Sequence, residues 1–406
     1  MRIAVVGGGA AGFFFAVNVR QMLPEAEVTL YEAGHDLLEK VRISGGGRCN
    51  VTHACFDARQ LSTHYPRGEK ELLSVFRRFQ PRDTLQWFAR RGVEIVAEED
   101  GRMFPDTNRS QTIIDCLIQE ARRLGVQIQT GCPLESLSRQ ENGWRLHFSG
   151  GRTVSADKVM LATGSQLRVW KMLREMGMDI IEPVPSLFTF NIRSPLLQDM
   201  AGVSFAKAIV EVPGLKLRAE GPLLITHWGL SGPAILRMSA WGARILHEKR
   251  YRFVLRVNFT GLTSAEWQQT ITTYRQQYAA RRVSSVPLPG LSRRFWERMI
   301  QTIGLEQQNW ADLRKEQMQQ IMENAGNAAF DVFGKSTHKE EFVTAGGVAR
   351  TEVDFRSMEC VRFPGLYMAG EVIDIDGITG GFNFQAAWSE AWIAAKGISE
   401  AHKRSL

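Results

Sequence analysis

Cysteine is scarce and scattered: Cys49, Cys55, Cys116, Cys132 and Cys360 are the five in 406 residues. None belongs to a C-x-x-C pair, which argues against a structural zinc site and against a redox-active dithiol. Reduced thiols in a reducing compartment are the simplest expectation. No uninterrupted apolar run approaches the roughly 20 residues of a membrane span, so no membrane partner is expected. A signal peptide is not expected either, because the chain opens directly on an apolar strand and a glycine turn, and this points to the cytoplasm. Internal repeats and low-complexity tails are absent. The length suits two or three domains with an ample core.

Charge is unbalanced toward the basic side, with a net +7. That raises nucleic acid as a partner. The basic residues come mainly as separated pairs, Arg77-Arg78, Arg90-Arg91, Arg122-Arg123, Arg281-Arg282 and Arg293-Arg294. Most fall in or beside helical patterns, where solvated helix faces explain them at least as well.

The most informative segment is at the start. Ile3-Ala4-Val5-Val6 runs into Gly7-Gly8-Gly9-Ala10-Ala11-Gly12, and Glu32 ends a second apolar strand 20 residues past Gly12. This is G-x-G-x-x-G between a strand and a helix, with an acid at the spacing of a dinucleotide site. Gly7 allows the tight turn, Gly9 lets the backbone close on a pyrophosphate, and Gly12 lets the helix pack on the sheet. Glu32 is placed to accept from a ribose diol, and the phosphates belong at the helix N-terminus, where N–H groups and the dipole favour anions.

The helix after this loop is expected to reach about Met22 and stop before Pro24, with Phe13-Phe14-Phe15 in the core. A second glycine-rich stretch follows at Ser44-Gly45-Gly46-Gly47-Arg48-Cys49-Asn50. Ser110 reads as the N-cap of a helix carrying Ile113, Ile114, Leu117, Ile118 and Ala121 at helical spacing. Val126–Thr130 reads as a further parallel strand, and residues 143–164 as a small antiparallel meander ending in Ala162-Thr163-Gly164. From about Pro185 the pattern changes to strands (Ser186–Asn191, Ala208–Val212, Tyr251–Phe259), then to a glutamine-rich helical stretch from Ser264 broken at Pro287–Gly290. The end of the chain returns to α/β character with Leu366-Tyr367-Met368-Ala369-Gly370-Glu371 and a helix from about Phe382 to Ala395.

The fingerprint alone does not choose between NAD and FAD. The meander ending in Ala-Thr-Gly and the late Ala369-Gly370-Glu371 turn resemble the glutathione-reductase-like class of FAD-binding folds. Lys40–Thr52, Thr226-His227-Trp228-Gly229-Leu230-Ser231-Gly232-Pro233, Thr344-Ala345-Gly346-Gly347-Val348 and the run from Gly370 to Gln385 go further. They resemble the BaiN/RdsA group of NAD(P)/FAD-dependent oxidoreductases, which includes YhiN-like and aminoacetone-oxidase-like proteins, over nearly the whole chain. The resemblance implies an α/β, glutathione-reductase-like FAD-binding Rossmann domain with an inserted β-barrel domain and a helical subdomain. The expected boundaries are 1–185 and 344–406 for the FAD domain, 186–262 for the barrel, resuming around 331–343, and 263–330 for the helices.

Carried over residue by residue, the resemblance puts Gly7, Gly9, Ala11 and Gly12 on the pyrophosphate and Glu32 on the adenosine ribose. Lys40, Arg48, Cys49 and Asn50 fall in the loop along the flavin, and Leu134 where backbone meets adenine. Thr163, Gly164, Gly370 and Glu371 line the middle of the cofactor, and Gly381, Phe382 and Asn383 face its ring. The family's glycine-rich stretch after Ala-Thr-Gly is replaced here by Ser165–Trp170, which leaves the shape of the substrate entrance open.

No second nucleotide fingerprint exists, so NADH or NADPH, as a reductant, is expected to dock transiently at the flavin face, or else the substrate supplies the electrons. Direct hydride transfer at the flavin N5 is the expected chemistry. His227 is the candidate acid/base because imidazole titrates near neutrality, against the plainer reading of a histidine that hydrogen-bonds at a domain boundary. Cys49 reads as a buried, inert thiol rather than a reactive one, and Arg48 as a ligand of cofactor phosphate. The leading expectation is an FAD-dependent oxidoreductase on a small organic substrate. The family points to reduction of enone-like double bonds or oxidation of an amine. A flavoenzyme that modifies RNA and a non-catalytic flavin-holding redox sensor are the alternatives.

Overall fold

The computed structural model describes residues 1–336 and 343–405. The chain forms two compact units, Met1–Val184 with Lys339–Leu406, and Pro185–His338.

The first unit is built on a parallel sheet. Strand β1 (Arg2–Val6) leads through the glycine loop into α1 (Ala10–Met22), and β2 (Glu27–Tyr31) follows. Later come α2 (Pro81–Ala89), α3 (Ser110–Arg123) and β3 (Gln127–Gln129). A three-stranded antiparallel meander, β4 (Leu134–Gln140), β5 (Gly143–Phe148) and β6 (Arg152–Ala156), precedes β7 (Lys158–Leu161). The unit closes with β8 (Leu366–Met368) and α4 (Phe382–Ser405). The parallel order is β8-β7-β1-β2-β3, extended beyond β8 by two short antiparallel strands. Ile3 to Val6, Val159 to Leu161 and Leu366 to Met368 are all buried, the continuous apolar signature of strands covered on both faces.

Helix α1 is apolar on every side because it lies between the sheet and α4. Phe13, Phe14 and Phe15 are fully buried, and Phe14 packs on Trp87 (4.5 Å) and Trp388 (5.1 Å). Ser110 is the first helical residue of α3 rather than its N-cap, since Arg109 takes the extended cap conformation. The Ser110 hydroxyl donates instead to the Arg42 carbonyl (2.8 Å). Helix α4 runs well past the expected end at Ala395, because it ends on a polar, basic turn with no breaker to stop it.

The second unit holds a closed six-stranded antiparallel barrel, in the order Thr189–Ile192, Gly229–Ser231, Leu217–Ile225, Ser204–Val212, Phe253–Asn258, Ala328–Ser336. The single strand expected over Ser186–Asn191 is two, Ile180–Ser186 and Thr189–Ile192, because Leu187 takes a left-handed conformation (φ 56°). Ala328–Ser336 pairs with both Thr189–Ile192 and Phe253–Asn258 and so closes the barrel. Of the stretch 331–343, residues 337–342 lie outside the described residues. Helices Ser264–Gln277, Arg293–Thr302 and Lys315–Gly326 share one apolar core with the barrel, and Trp296 stacks on Trp310 (6.2 Å, 8°) within it.

Candidate active site

The carboxyl ends of β1, β7 and β8 lie side by side in the sheet, with Val6 opposite Leu161 and Leu161 opposite Met368. This brings three glycine turns from distant parts of the chain to one edge: Gly7–Gly12, Ala162–Gly164 and Ala369–Glu371. Ligands of open α/β sheets bind at such an edge. Gly7 has φ 110°, and a Cβ there would lie 2.3 Å from the Ala162 carbonyl oxygen. At Gly12 a Cβ would meet the Gly7 oxygen at 1.9 Å, so no side chain fits. Gly9 is the opposite case, with nothing within 4 Å of its hypothetical Cβ. It also caps α1 without a side-chain hydrogen bond, leaving the first-turn N–H groups for an anion. Ala11 begins the buried face of that turn, and its Cβ would lie 3.4 Å from one added at Gly370.

Glu32 is already engaged. Its carboxylate accepts from Gly8 N (2.6 Å) and Gly34 N (2.8 Å), bracing the phosphate loop while retaining lone pairs for a further donor. Leu134 is buried at the start of β4, opposite Phe148, and Phe148 stacks on Tyr31 (4.5 Å) at the end of β2. Thr163 Oγ1 is buried with no hydrogen-bond partner among the described residues. Gly164 has φ 61° and lies against Glu371, whose carboxylate pairs with Lys40. Trp170 pins the replaced segment after Gly164 to this edge by donating to the Val372 carbonyl (2.9 Å).

The second glycine stretch breaks the helix Glu39–Gly47 at Ser44-Gly45-Gly46. Arg48 folds back on it, its Nε donating to the Gly45 carbonyl (3.4 Å), while its guanidinium pairs with Glu98 (2.6 Å) and lies over the Phe104 ring (4.0 Å). Cys49 is fully buried with φ 63°, and burial pushes its thiol up to about 12, so it is protonated at neutral pH. Asn50, with its amide oxygen toward Gly381 N (3.0 Å) and its nitrogen toward Thr52 O (3.0 Å), ties this loop to the turn before α4.

That turn is braced from several sides. A Cβ at Gly381 would meet the Thr52 oxygen at 2.4 Å. Asn383 accepts from Gly377 N (2.8 Å) and donates to Gly377 O (3.1 Å). Tyr65 donates to the Phe382 carbonyl (2.6 Å). The rings of His53 (4.6 Å) and His64 (4.4 Å) both pack on Phe382, and His53 Nδ1 donates to the Gly380 carbonyl (3.1 Å). Gln385 accepts from both Thr52 (2.6 Å) and Thr84 (3.0 Å) through its Oε1.

Behind the sheet edge, Glu390 on α4 accepts from Gly370 N (2.6 Å) with one oxygen, while the other has no partner among the described residues. Burial pushes this carboxyl up to about 8, so at neutral pH it is largely protonated.

Comparison with known proteins agrees with this fold. A family model described as the HI0933-like protein Rossmann domain matches residues 1–397. The chain belongs to the HI0933-like family. It is 28% identical to the ribosomal RNA dihydrouridine synthase of Escherichia coli (strain K12), over 97% of each chain. It is 25% identical to the 3-dehydro-bile acid delta(4,6)-reductase of Clostridium scindens, over 98% of this chain and 99% of that one. Among solved structures, 3-ketosteroid-delta4-(5alpha)-dehydrogenase from Rhodococcus jostii RHA1 shares the fold, with TM-score 0.52 and 13% identity over 98% and 96% of the two chains. As a member of the HI0933-like family the protein has the α/β FAD-binding Rossmann fold expected from the sequence, and it is an FAD-dependent oxidoreductase. No helix among the described residues is long and apolar enough to cross a membrane.

Of the residues picked from sequence, Gly7, Gly9, Ala11, Gly12, Glu32, Lys40, Thr163, Gly164, Gly370 and Glu371 lie together at the sheet edge, Asn50 meets Gly381 at the turn that carries Phe382 and Asn383, and the Arg48 side chain is held by the Glu98 carboxylate and the Phe104 ring. His227 lies in the second unit, exposed in the turn between Leu217–Ile225 and Gly229–Ser231. Sequence reasoning missed His53, His64, Tyr65, Gln385 and Glu390. His53 directly follows the Lys40–Thr52 motif, which was the available signal for it. Nothing in local pattern marks the others.

Proposed function

We propose that the protein reduces a carbon–carbon double bond conjugated to a carbonyl group, and that FAD lies along the carboxyl edge of β8-β7-β1-β2. The observation that carries the cofactor placement is the pair of opposite glycines: Gly12 has no room for a side chain, whereas Gly9 faces open space beside uncapped N–H groups. The buried Thr163 hydroxyl, which has no partner among the described residues, supplies a further group for a polar ligand.

When bound, FAD supplies hydride transfer. Gly9, Ala11 and Gly12 hold the pyrophosphate by backbone N–H groups, and Glu32, from its braced position, takes the adenosine ribose. Leu134 offers backbone to adenine. Thr163, Gly164, Gly370 and Glu371 line the middle of the cofactor, with Lys40 holding the Glu371 carboxylate in place. Asn50, Gly381, Phe382 and Asn383 present the N-terminus of α4 to the ring, where a helix dipole stabilises negative charge. Proton transfer falls to a histidine: His227 in the second unit, or His53, whose ring packs on Phe382 beside the ring-facing turn. NADH or NADPH serves as transient reductant, and the cytoplasm is the proposed compartment.

The substrate class rests on what two full-length relatives have in common. Making dihydrouridine and reducing a 3-keto bile acid at positions 4 and 6 both saturate a ring double bond conjugated to a carbonyl. Such a bond is electron-poor at its far carbon and accepts hydride there. A small organic enone is the first reading. An RNA uracil is the second, favoured by the dihydrouridine synthase relative and the net charge of +7.

The test is anaerobic. The FAD-loaded protein is photoreduced and mixed separately with a 4-en-3-one steroid, with uridine-containing RNA and with buffer. Rapid reoxidation together with a saturated product from either compound supports the proposal and names the class. Reoxidation no faster than in buffer with both would remove the conjugated double bond as the target.

A further inference from the structure

One acid is buried where the sheet edge, α1 and α4 meet. Glu390 is 0% exposed on α4, eight residues beyond Phe382. One of its oxygens accepts from Gly370 N (2.6 Å) in the third glycine turn, and the other has no partner among the described residues. Gly370 is wedged at the same junction: a Cβ there would lie 3.4 Å from that of Ala11 on α1 and 4.0 Å from that of Ala387 on α4. The carboxyl thus backs the glycine turn at the cofactor edge and is closed off from solvent.

The other buried acids of the first unit show what burying a carboxylate ordinarily requires. Asp376 pairs with Arg67, Asp374 with Arg350 (2.8 Å) and Glu352 with Arg362. Glu390 has no cation against it among the described residues, and the elements packed on α4 offer none. Helix α1 presents the run Ala11–Val19, whose one polar side chain, Asn18, is taken by the Phe14 carbonyl and the Trp87 indole. On the helix Glu69–Phe76, Glu69 and Lys70 are exposed and Glu71 pairs with Arg350 (3.1 Å). On α2, Arg82 is exposed and Asp83 accepts from Gln80 N (2.9 Å). His53 packs on Phe382, Tyr367 of β8 is held by Glu359, and on α4 itself Lys396 pairs with Glu400 (3.7 Å). The titratable group near enough to feel the Glu390 charge is Tyr65, on which Cys55 also acts and whose hydroxyl donates to the Phe382 carbonyl (2.6 Å). With burial and no cation the neutral form is favoured, and the carboxyl rises to about 8.

We propose that Glu390 is a positioning residue that couples reduction of bound FAD to uptake of a proton: in alkaline solution it is ionised beside the oxidised ring and protonated beside the reduced one. The proposal rests on the placement of FAD along the sheet edge with its ring at the N-terminus of α4. Eight residues of helix put the carboxyl about 12 Å from Phe382, and the ring about 12–16 Å from it. A unit charge at that distance, at an effective dielectric of about 20, shifts an equilibrium by roughly five- to tenfold. A hydride from a nicotinamide-class donor adds two electrons and one proton to the ring and leaves one negative charge there. The Glu390 carboxylate then takes one proton from solvent, forming an O–H bond on one oxygen, and its own charge disappears as the ring's appears. Below about pH 8 the acid already holds that proton, so α4 presents its N-terminal dipole to the ring unopposed. Above that pH the carboxylate opposes the arriving electrons.

The experiment brings the FAD-loaded protein, wild type and Glu390→Gln, to redox equilibrium with a reference dye at pH 6 and pH 9.5. A protein-perturbed flavin spectrum checks that each is folded and loaded. Glutamine stands for the protonated acid at every pH, so any fixed effect of the substitution cancels between the two conditions. The expected result is a wild-type reduction constant that falls roughly fivefold relative to the variant's from pH 6 to pH 9.5. A ratio that does not change with pH would overturn the coupling while leaving the FAD site in place. The wild type alone gives an independent reading should the variant fail to fold. Its reduced-minus-oxidised infrared difference spectrum at pH 8.5 should show a gain in the C=O stretch of a protonated carboxyl, and the absence of that gain would also overturn the coupling. A wild type that binds no FAD would remove the site and the coupling together.

Discussion

Replacing Glu390 by glutamine isolates the cost of a buried acid at the back of the cofactor edge. In the folded protein this carboxyl is raised from 4.5 to about 8, chiefly by burial, with the Gly370 N–H opposing. Its titratable neighbour is Tyr65, whose hydroxyl is raised by burial and then by the charges of Glu390 and Cys55. The folded state thus keeps a proton that the unfolded chain has released. Stability is greatest below about pH 4.5, falls as pH rises toward 8, and levels off above it. The full excursion is about 5 kcal/mol, of which about 2 kcal/mol falls between pH 6 and pH 8. Glutamine still accepts from Gly370 N but cannot ionise. Any fixed cost of its unsatisfied amide is the same at every pH, so the slope alone reports the acid. Urea unfolding of wild type and Glu390→Gln, followed by far-UV circular dichroism at pH 6 and pH 8, should show the variant gaining about 2 kcal/mol relative to wild type across that interval. A difference that does not change with pH would refute a neutral Glu390.

Gly12→Ala, whose Cβ would lie 1.9 Å from a backbone oxygen, should fail to give folded protein, whereas Gly9→Ala should fold normally and bind FAD about tenfold more weakly or worse; circular dichroism with FAD titration separates the two, and normal folding of Gly12→Ala would contradict the packing account. Glu32→Ala should lose FAD affinity and also about 1–3 kcal/mol of stability, because Gly8 and Gly34 lose their acceptor; unchanged flavin content in that variant would sink the ribose assignment. All five cysteines are buried, and burial raises Cys49 to about 12 and Cys116 to about 11. A disulfide reagent at neutral pH should therefore find no fast thiol until the protein is unfolded, and one rapid equivalent in the native protein would contradict this. His53→Gln and His227→Gln, each tested for reoxidation of the reduced flavin by a conjugated acceptor, should differ. The variant that slows reoxidation and flattens its pH profile identifies the proton donor, and normal rates in both would remove histidine from the mechanism.

What the sequence made legible was local. The strand–glycine–helix run with Glu32, the buried phenylalanines of α1 and the apolar parallel strands follow from spacing and periodicity within windows of a few tens of residues. The α/β fold class followed from the motifs at the two ends of the chain. Pairings across long separations were not legible. Lys40 meets Glu371, Tyr65 holds the Phe382 carbonyl and Glu390 holds Gly370 N because the sheet order brings β8 beside β7 and α4 beside α1. Three of the five arginine pairs are a further case: each reads as a solvated helix face by itself, yet Arg78, Arg90, Arg91 and Arg123 line one cavity formed by the packing of α1, α2, α3 and α4. The surroundings of Arg48 were not legible either, because Glu98 and Phe104, which engage its guanidinium, both lie far from it in sequence.

The central claim is that the carboxyl edge of the parallel sheet is an FAD site, and its most direct test is titration of the purified protein with FAD, followed by visible absorbance and flavin fluorescence. The account predicts stoichiometric binding in wild type, with a protein-perturbed flavin spectrum that Gly9→Ala reaches only at about tenfold higher FAD or not at all. A wild-type protein that leaves the free-flavin spectrum unchanged, or a Gly9→Ala variant that binds as tightly as wild type, would contradict it.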